Sequence, residues 1–74
     1  MNDNALPPVA QLLSRVQVER LTGLSTRSLY RAMRRGAFPE PLRVSTRSVR
    51  WRNDEIQAWI EERPRSSGIV GAAA

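Results

Sequence analysis

Apolar residues in the middle of the chain recur at the spacing of one helix face. Leu29, Ala32 and Met33 stand at i, i+3 and i+4, the pattern that turns one stripe of a helix toward a core. Ser25 before them is a good N-terminal cap, because its hydroxyl can accept from the amides of the first turn. Gly36 after them can adopt the left-handed backbone that ends helices. The pattern therefore predicts a helix from Ser25 to Gly36.

A shorter helix is predicted before it, over residues 15–22. Ser14 is its expected N-cap, and Gln17 three residues later completes the signature of a capping box. Val18 and Leu21 are predicted to face inward, because residues three apart share a helix face.

A short turn joins the two predicted helices. Gly23 permits a sharp change of direction, Leu24 is expected to fill the corner, and Ser25 begins the next helix. A helix, a glycine-containing turn of about three residues and a second helix form the order of a helix-turn-helix. In that motif the second helix enters the major groove of DNA.

After the second helix the pattern changes from helical spacing to alternation. Two prolines within residues 37–41 exclude a helix there, and Phe38 is expected to anchor this connection on the core. Two short alternating runs follow, residues 42–44 and 49–51, and they predict a β-hairpin with four polar residues between its strands. The core face of this hairpin is assigned Leu42, Val44, Val49 and Trp51, and the opposite face Arg43 and Arg50.

A third helix is predicted after the hairpin. Asn53 is its expected N-cap, and the two acidic residues after it suit the first turn of a helix. Ile56, Trp59 and Ile60 share a face and are expected to close the core. Pro64 is expected to end the helix.

These elements are expected to form one small domain over residues 12–63, mainly α with a small β-hairpin, as in a winged helix-turn-helix. Leu12 and Leu13 form either a short strand or a hydrophobic staple at its start. Residues 1–11 are expected to be a disordered N-terminal arm, which either contacts DNA or a neighbour or has no binding role. Residues 64–74 are expected to be a flexible tail.

Charge is concentrated in the middle of the chain. All 12 basic residues are arginines, and the formal net charge is +5. Ten of these arginines lie between Arg15 and Arg52, with only Glu19 and Glu40 among them, so this part carries a net charge of +8. Such an imbalance favours a polyanionic partner, and the planar fork of arginine matches phosphate groups and guanine edges.

The predicted second helix carries arginines on the side opposite its apolar stripe. Arg27, Arg31 and Arg34 stand at i, i+4 and i+7, where like charges repel by about 0.2–0.5 kcal/mol per pair. This face is either simply solvated or binds a polyanion, and its place in a helix-turn-helix favours the polyanion. The residues predicted to bind DNA are Thr26, Arg27, Ser28, Tyr30, Arg31, Arg34, Arg35, Arg43, Arg47 and Arg50.

The predicted contacts differ in kind. Arg27 and Arg31 are expected to read bases, because a bidentate arginine on guanine is the commonest specific contact. Thr26 and Ser28, at the start of the helix, suit phosphates or base edges. The other predicted residues are expected to hold phosphates, with the hairpin as a wing along the backbone or in a minor groove.

The residue types of most catalytic sites are absent from the sequence. It has no Cys and no His, which excludes disulfides, the usual zinc ligand sets and the commonest general base. We therefore expect no enzymatic activity, no catalytic residues, no metal and no cofactor. The sequence contains nothing resembling a signal peptide or a membrane span, so we expect a soluble intracellular protein.

Several segments resemble one known family. Leu29-Tyr30-Arg31, Gly36-Ala37-Phe38-Pro39, Trp51-Arg52 and Ala58-Trp59-Ile60 are similar to the AlpA family of phage-type regulators, which belongs with MerR-like and excisionase-like winged-helix proteins. The resemblance implies a winged helix-turn-helix that binds double-stranded DNA near promoters or attachment sites of a mobile element. It also implies action either as a transcription regulator or as a recombination directionality factor (excisionase), which bends DNA so that an integrase excises. The location that it implies is the cytoplasm of a bacterium, in association with the nucleoid.

Two hypotheses of different classes follow. In the first, the chain binds specific duplex sequences, with copies associating cooperatively on adjacent sites, because a single small module buries only about 600–1,000 Å². An integrase is a further expected partner of this DNA complex. In the second, the chain is a protein-interaction adaptor whose basic face binds an acidic partner. Binding that falls steeply with salt and keeps a sequence preference would favour the first.

Overall fold

A computed structural model describes residues 11–66 of the chain as three short helices around a small sheet. The elements in chain order are β1 (Leu12–Leu13), α1 (Arg15–Thr22), α2 (Thr26–Arg34), β2 (Leu42–Arg43), β3 (Val49–Arg52) and α3 (Asn53–Glu61). The strands form an antiparallel sheet in the order β1-β3-β2. β3 is therefore the central strand, and both α1 and α3 pack on it. This arrangement is a winged helix-turn-helix, with the β2–β3 hairpin as the wing.

The ends of α1 are set by local sequence, as predicted. The hydroxyl of Ser14 accepts from the amide of Gln17, while the side-chain oxygen of Gln17 accepts from the amide of Ser14 at 2.8 Å. This is a complete capping box, which satisfies two amides that have no partner inside the helix. At the other end Gly23 has φ 77°, and its amide donates to the carbonyl of Glu19 at 2.8 Å. The left-handed glycine ends the helix and turns the chain toward α2.

The predicted N-cap of α2 at Ser25 and the predicted left-handed glycine after the helix, Gly36, are both confirmed. The Ser25 hydroxyl accepts from the Ser28 amide at 3.1 Å. At the C-terminal end Gly36 has φ 72°, and the amides of Gly36 and Ala37 donate back to the carbonyls of Met33 and Ala32. This pair of bonds is a Schellman motif. The last helical residue is Arg34, so the helix proper ends two residues before the glycine that stops it.

The core is a single cluster to which every element except β2 contributes. Its buried members are Leu13, Val18, Leu29, Ala32, Phe38, Trp51 and Ile56. Trp51 is fully buried, and its indole N–H donates to the carbonyl of Pro39 at 3.0 Å, so the one polar atom of this ring has a partner. Phe38 anchors the α2–β2 connection, as predicted, and meets the ring of Trp59 edge-on at 4.8 Å.

Leu21 was predicted to face inward, and this prediction is wrong. Its side chain is 47% exposed, whereas Val18 is fully buried. Successive helical residues are about 100° apart. Viewed down the axis of α1, Leu21 therefore lies to one side of the buried Val18 and Thr22 lies to the other. Thr22 takes the inner side and donates its hydroxyl to the Val18 carbonyl at 2.8 Å. Leu21 instead lines a groove between α1 and α3.

The predicted assignment of hairpin faces is also wrong. Leu42 pairs with Arg50 and Arg43 with Val49, and directly opposed residues lie on the same face of a sheet. Leu42 and Arg50 therefore share the outer face, whereas Arg43 and Val49 share the side of the buried Trp51. Leu42 and Val44 are accordingly 44% and 47% exposed.

The cause of this difference is the length of the turn. The amide of Val44 donates to the carbonyl of Ser48 at 2.9 Å, so the turn contains three residues and Ser48 belongs to the ladder. The four-residue turn expected from sequence shifts the register by one residue. Because side chains alternate with period two, this single step exchanges the two faces of β2.

Asn53 was predicted to cap α3, but it is the first helical residue. The N-cap is Arg52, which has no side-chain capping bond. β3 pairs with β1 as far as Arg52, and the amide of Asn53 donates to the carbonyl of Gln11 at 2.9 Å. The chain thus passes from strand to helix without a linker, and no residue is left over to act as a polar cap. This pairing also shows that Leu12 and Leu13 form a strand rather than a staple.

Residues 1–10 of the predicted arm and residues 67–74 of the predicted tail lie outside the described part of the chain. Across residues 11–66, no helix combines the length and apolar character that a bilayer crossing requires.

The hairpin register predicts that substitutions at Val44 and Val49, one on each side of the hairpin turn, change the free energy of unfolding by different amounts. Val44→Thr should change the free energy of unfolding by less than about 0.5 kcal/mol, because the side chain is exposed. Val49→Thr should destabilise by about 1–3 kcal/mol, because Val49 packs against the core and the new hydroxyl would lack a partner there. Both substitutions keep a β-branched side chain, so strand propensity is matched. Urea unfolding of the two variants measures the difference, and equal losses would favour the four-residue turn.

Candidate nucleic-acid interface

α2 separates apolar and basic residues onto opposite sides. Leu29 is fully buried, Ala32 is 8% exposed, and Met33 packs against the core. The opposite side carries five side chains that are all exposed, namely Arg27, Tyr30, Arg31, Arg34 and Arg35. The structure therefore brings five of the predicted DNA-binding residues onto one surface, which we call the α2 face.

The guanidinium groups of the α2 face are not committed to other protein groups. Within residues 11–66, Arg27, Arg31 and Arg34 make no ion pair and no side-chain hydrogen bond. Elsewhere arginines are engaged: Arg52 binds the carboxylate of Asp54, and Arg63 stacks over the ring of Trp59 at 4.1 Å. The donors of the α2 face are thus free to bind an external anion.

Ser28 and Thr26 differ from the arginines in this respect. Ser28 is half-buried, and its amide is bound to the Ser25 cap. The Thr26 hydroxyl donates to Oε2 of Glu19 at 2.6 Å and accepts from Nη1 of Arg15 at 2.8 Å. Direct contact of either residue with DNA stays a prediction. The hydroxyl hydrogen of Thr26 is already donated to Glu19.

Arg15 and Glu19 also belong to this region, because both contact Thr26, and neither was predicted from the sequence. Nη1 of Arg15 lies 2.6 Å from Oε2 of Glu19, one helical turn away. Hydrogen bonds from Thr26 and Arg15 hold the pKa of Glu19 below its usual value. The i, i+4 spacing of the two residues was a visible signal in the sequence, but their contact with Thr26 depends on how α1 and α2 cross.

The wing arginines occupy three separate positions. Arg47 lies at the exposed tip, where its amide donates to the Ser45 hydroxyl at 3.3 Å. Arg43 is exposed on the core side of the ribbon, and its Nη1 reaches the Thr46 carbonyl at 3.3 Å. Arg50 is half-buried on the outer face, and its Nη1 donates to the Val49 carbonyl at 2.8 Å. The prediction that Arg43 and Arg50 share one basic face is wrong, because the register places them on opposite faces.

Four of the six acidic residues within residues 11–66 lie on or directly after another element, α3. Asp54 and Glu55 occupy its first turn, where the helix dipole favours negative charge. The Arg52 guanidinium donates to Asp54 at 2.9 Å and holds the pKa of that carboxyl below its usual value. Glu61 and Glu62 lie at the other end of the helix, so α3 is a poor surface for a polyanion.

Comparisons with known proteins agree with this geometry. A family model described as the prophage CP4-57 regulatory protein AlpA matches residues 11–64. The uncharacterized protein ORF88 of Enterobacteria phage P4 is 33% identical over 60 residues, which cover 78% of this chain and 68% of the phage protein.

Proposed function

The chain belongs to the AlpA family of prophage regulatory proteins, and from this premise we propose that it recognises a specific sequence in double-stranded DNA. Membership makes it a small phage-type regulatory protein with a winged helix-turn-helix. The proposal concerns how such a protein reads its site, and the residues of the α2 face carry it.

One observation supports this function most directly: uncommitted arginines stand on a helix whose orientation is fixed. Caps hold both ends of α2, and the full burial of Leu29 prevents rotation about its axis. A helix held in this way can present the same donors to every site it meets, which sequence recognition requires. In a helix-turn-helix the N-terminal part of the second helix is nearest the bases.

The predicted roles follow from position along α2. Arg27 and Arg31, in the first two turns, are assigned to base edges, most simply guanine. Tyr30, Arg34 and Arg35 are assigned to phosphates on either side of the groove.

The wing adds contacts outside the major groove. Arg47 at the tip is the best placed of its arginines, since its guanidinium has no protein partner within residues 11–66. Arg43 and Arg50 each donate one hydrogen bond to a backbone carbonyl, and we assign their remaining N–H groups to phosphates. We assign the wing to the DNA backbone or an adjacent minor groove.

We further propose that several copies bind adjacent sites cooperatively and bend the DNA, so that the protein acts as an excisionase, as a transcription regulator, or as both. The supporting argument is size, because one module of this kind buries only about 600–1,000 Å² on DNA. Neighbouring copies would add the missing affinity. An integrase is the proposed partner of the excision complex.

Replacing base-reading and phosphate-binding arginines should have different effects. Arg27→Ala with Arg31→Ala should abolish most of the preference for the selected site, about 1–3 kcal/mol for each lost bidentate contact. Arg47→Ala should weaken binding to all duplexes alike and make the log–log salt slope shallower by about 0.9. Fluorescence anisotropy with a duplex selected from random sequence, and with a scrambled duplex, measures both quantities.

The matched control for this series is Arg65→Ala, which removes one exposed arginine beyond α3. It should leave the sequence preference unchanged. Equal losses of preference in the Arg27/Arg31 and Arg47 variants would contradict the assigned roles. A wild-type chain without any sequence preference would instead favour the adaptor hypothesis.

Cooperativity and bending predict a distinct pattern on attachment-site DNA from beside an integrase gene. A mobility-shift titration should show several complexes over a narrow protein range, and circularly permuted fragments should migrate according to the position of the site. Added to the integrase, the chain should raise the yield of excised product. A single complex with unbent DNA would contradict the proposed excisionase role while leaving sequence recognition intact.

A further inference from the structure

Three side chains form a closed set of hydrogen bonds where α1 meets the start of α2. Arg15 is the first residue of α1, Glu19 lies one turn later, and Thr26 is the first residue of α2. Nη1 of Arg15 donates to Oε2 of Glu19 at 2.6 Å and to Oγ1 of Thr26 at 2.8 Å, while the Thr26 hydroxyl donates to the same Oε2 at 2.6 Å. Each of the three groups therefore restrains the other two.

This arrangement leaves one edge of the Arg15 guanidinium unoccupied. Nη1 carries two hydrogens, and its two acceptors account for both of them. Nε and Nη2 carry the other three, and they have no partner within residues 11–66. The side chain is 42% exposed. An Nε–Nη2 edge is a planar pair of donors that matches two oxygens of one phosphate.

The location of that edge is as informative as its chemistry. A hydrogen bond to Thr26 ties Arg15 to the first turn of α2, where the next residue in the sequence is Arg27 of the α2 face. In a helix-turn-helix the first helix crosses the DNA backbone while the second occupies the groove. A guanidinium at this junction would meet the phosphates that border the groove.

A contribution to folding stability does not by itself explain the presence of Glu19. It is one of only two acids among ten arginines in the part of the chain from Arg15 to Arg52. Ion pairs near the surface contribute about 0–1 kcal/mol to folding, and this one is only partly exposed, at 42% for Arg15 and 20% for Glu19. A carboxylate without these partners would repel DNA. Its contacts do, however, restrict a long side chain that would otherwise sample many rotamers.

We propose that Arg15 is a phosphate-binding residue of the DNA interface and that Glu19 is a positioning residue that holds its guanidinium in place. This inference rests on the proposed function, since it adds a contact to the same protein–DNA complex. It explains why the acidic Glu19 lies next to a surface proposed to bind a polyanion: its carboxylate orients the guanidinium of Arg15. It also gives the Thr26 hydroxyl an internal role.

Removal of Glu19 tests the inference by the sign of its effect. Glu19→Ala removes one negative charge and so raises the net charge of the chain by one, and simple electrostatics therefore requires tighter DNA binding. If Glu19 positions Arg15, affinity should instead fall about threefold, because a mobile guanidinium loses part of its contact. Glu40→Ala is the matched control with the same change of charge, and it should leave affinity unchanged or raise it. Glu19→Gln retains an acceptor oxygen and should recover part of the loss.

The Arg15 contact is tested by salt dependence. Arg15→Ala should lower affinity about tenfold and make the log–log salt slope shallower by about 0.9, the value for one phosphate. Arg20→Ala removes the same charge from the side of α1 that faces the α1–α3 groove, and it should leave the slope unchanged. In the Arg15→Ala background, Glu19→Ala should no longer weaken binding, because the residue it positions is gone. Circular dichroism melts confirm that each variant is folded.

The outcomes separate this inference from the function on which it rests. A wild-type chain that does not prefer its selected duplex over competitor DNA overturns the proposed function and this inference with it. A wild-type chain that keeps its preference, with an unchanged salt slope in Arg15→Ala, overturns the phosphate contact alone. Tighter binding by Glu19→Ala, equal to that of Glu40→Ala, overturns the positioning role.

Discussion

The full burial of Leu29 and Trp51 in one apolar cluster fixes which side of α2 faces solvent. Burying a side chain such as leucine stabilises a fold by about 1.5–3 kcal/mol, and in a domain this small each such residue matters. Turning α2 about its axis would expose Leu29 and place arginines against the indole of Trp51. The basic face points outward because the alternative would bury charge without a partner.

The same constraint organises the charges of the whole domain. β3 brings Trp51 to the centre and continues directly into α3, so α3 begins at the end of β3 that is farther from the hairpin turn. Its acids are therefore collected on one element, while α2 and the wing carry arginines with few acids near them. The exceptions are Glu19, whose carboxylate is bound by Arg15 and Thr26, and Glu40, which lies in the connection between α2 and β2. Electrostatic segregation and core packing thus support one another in this fold.

The elements that could be predicted from sequence are those determined by neighbouring residues. The Ser14–Gln17 capping box, the Ser25 cap and the two left-handed glycines depend on contacts within four or five positions. The class of the fold followed from them and from the family resemblance.

The features that sequence could not supply depend on how distant segments meet. A turn shorter by one residue exchanged the faces of β2, and pairing with Gln11 made Asn53 a helical residue rather than a cap. The exposure of Leu21 reflects a two-turn helix that offers only a narrow stripe to the core. The contact of Arg15 and Glu19 with Thr26 needed the crossing of α1 and α2, which no local pattern encodes.

We propose that the α2 face, which core packing turns toward solvent, is the surface that binds duplex DNA. The most direct measurement is a titration of the isotope-labelled chain with its selected duplex, followed by backbone amide chemical shifts. We expect the largest changes in Thr26–Arg34 and at the wing tip, with the amide shifts of Asn53–Glu61 nearly unchanged. The largest changes in α3, with α2 unaffected, would contradict it.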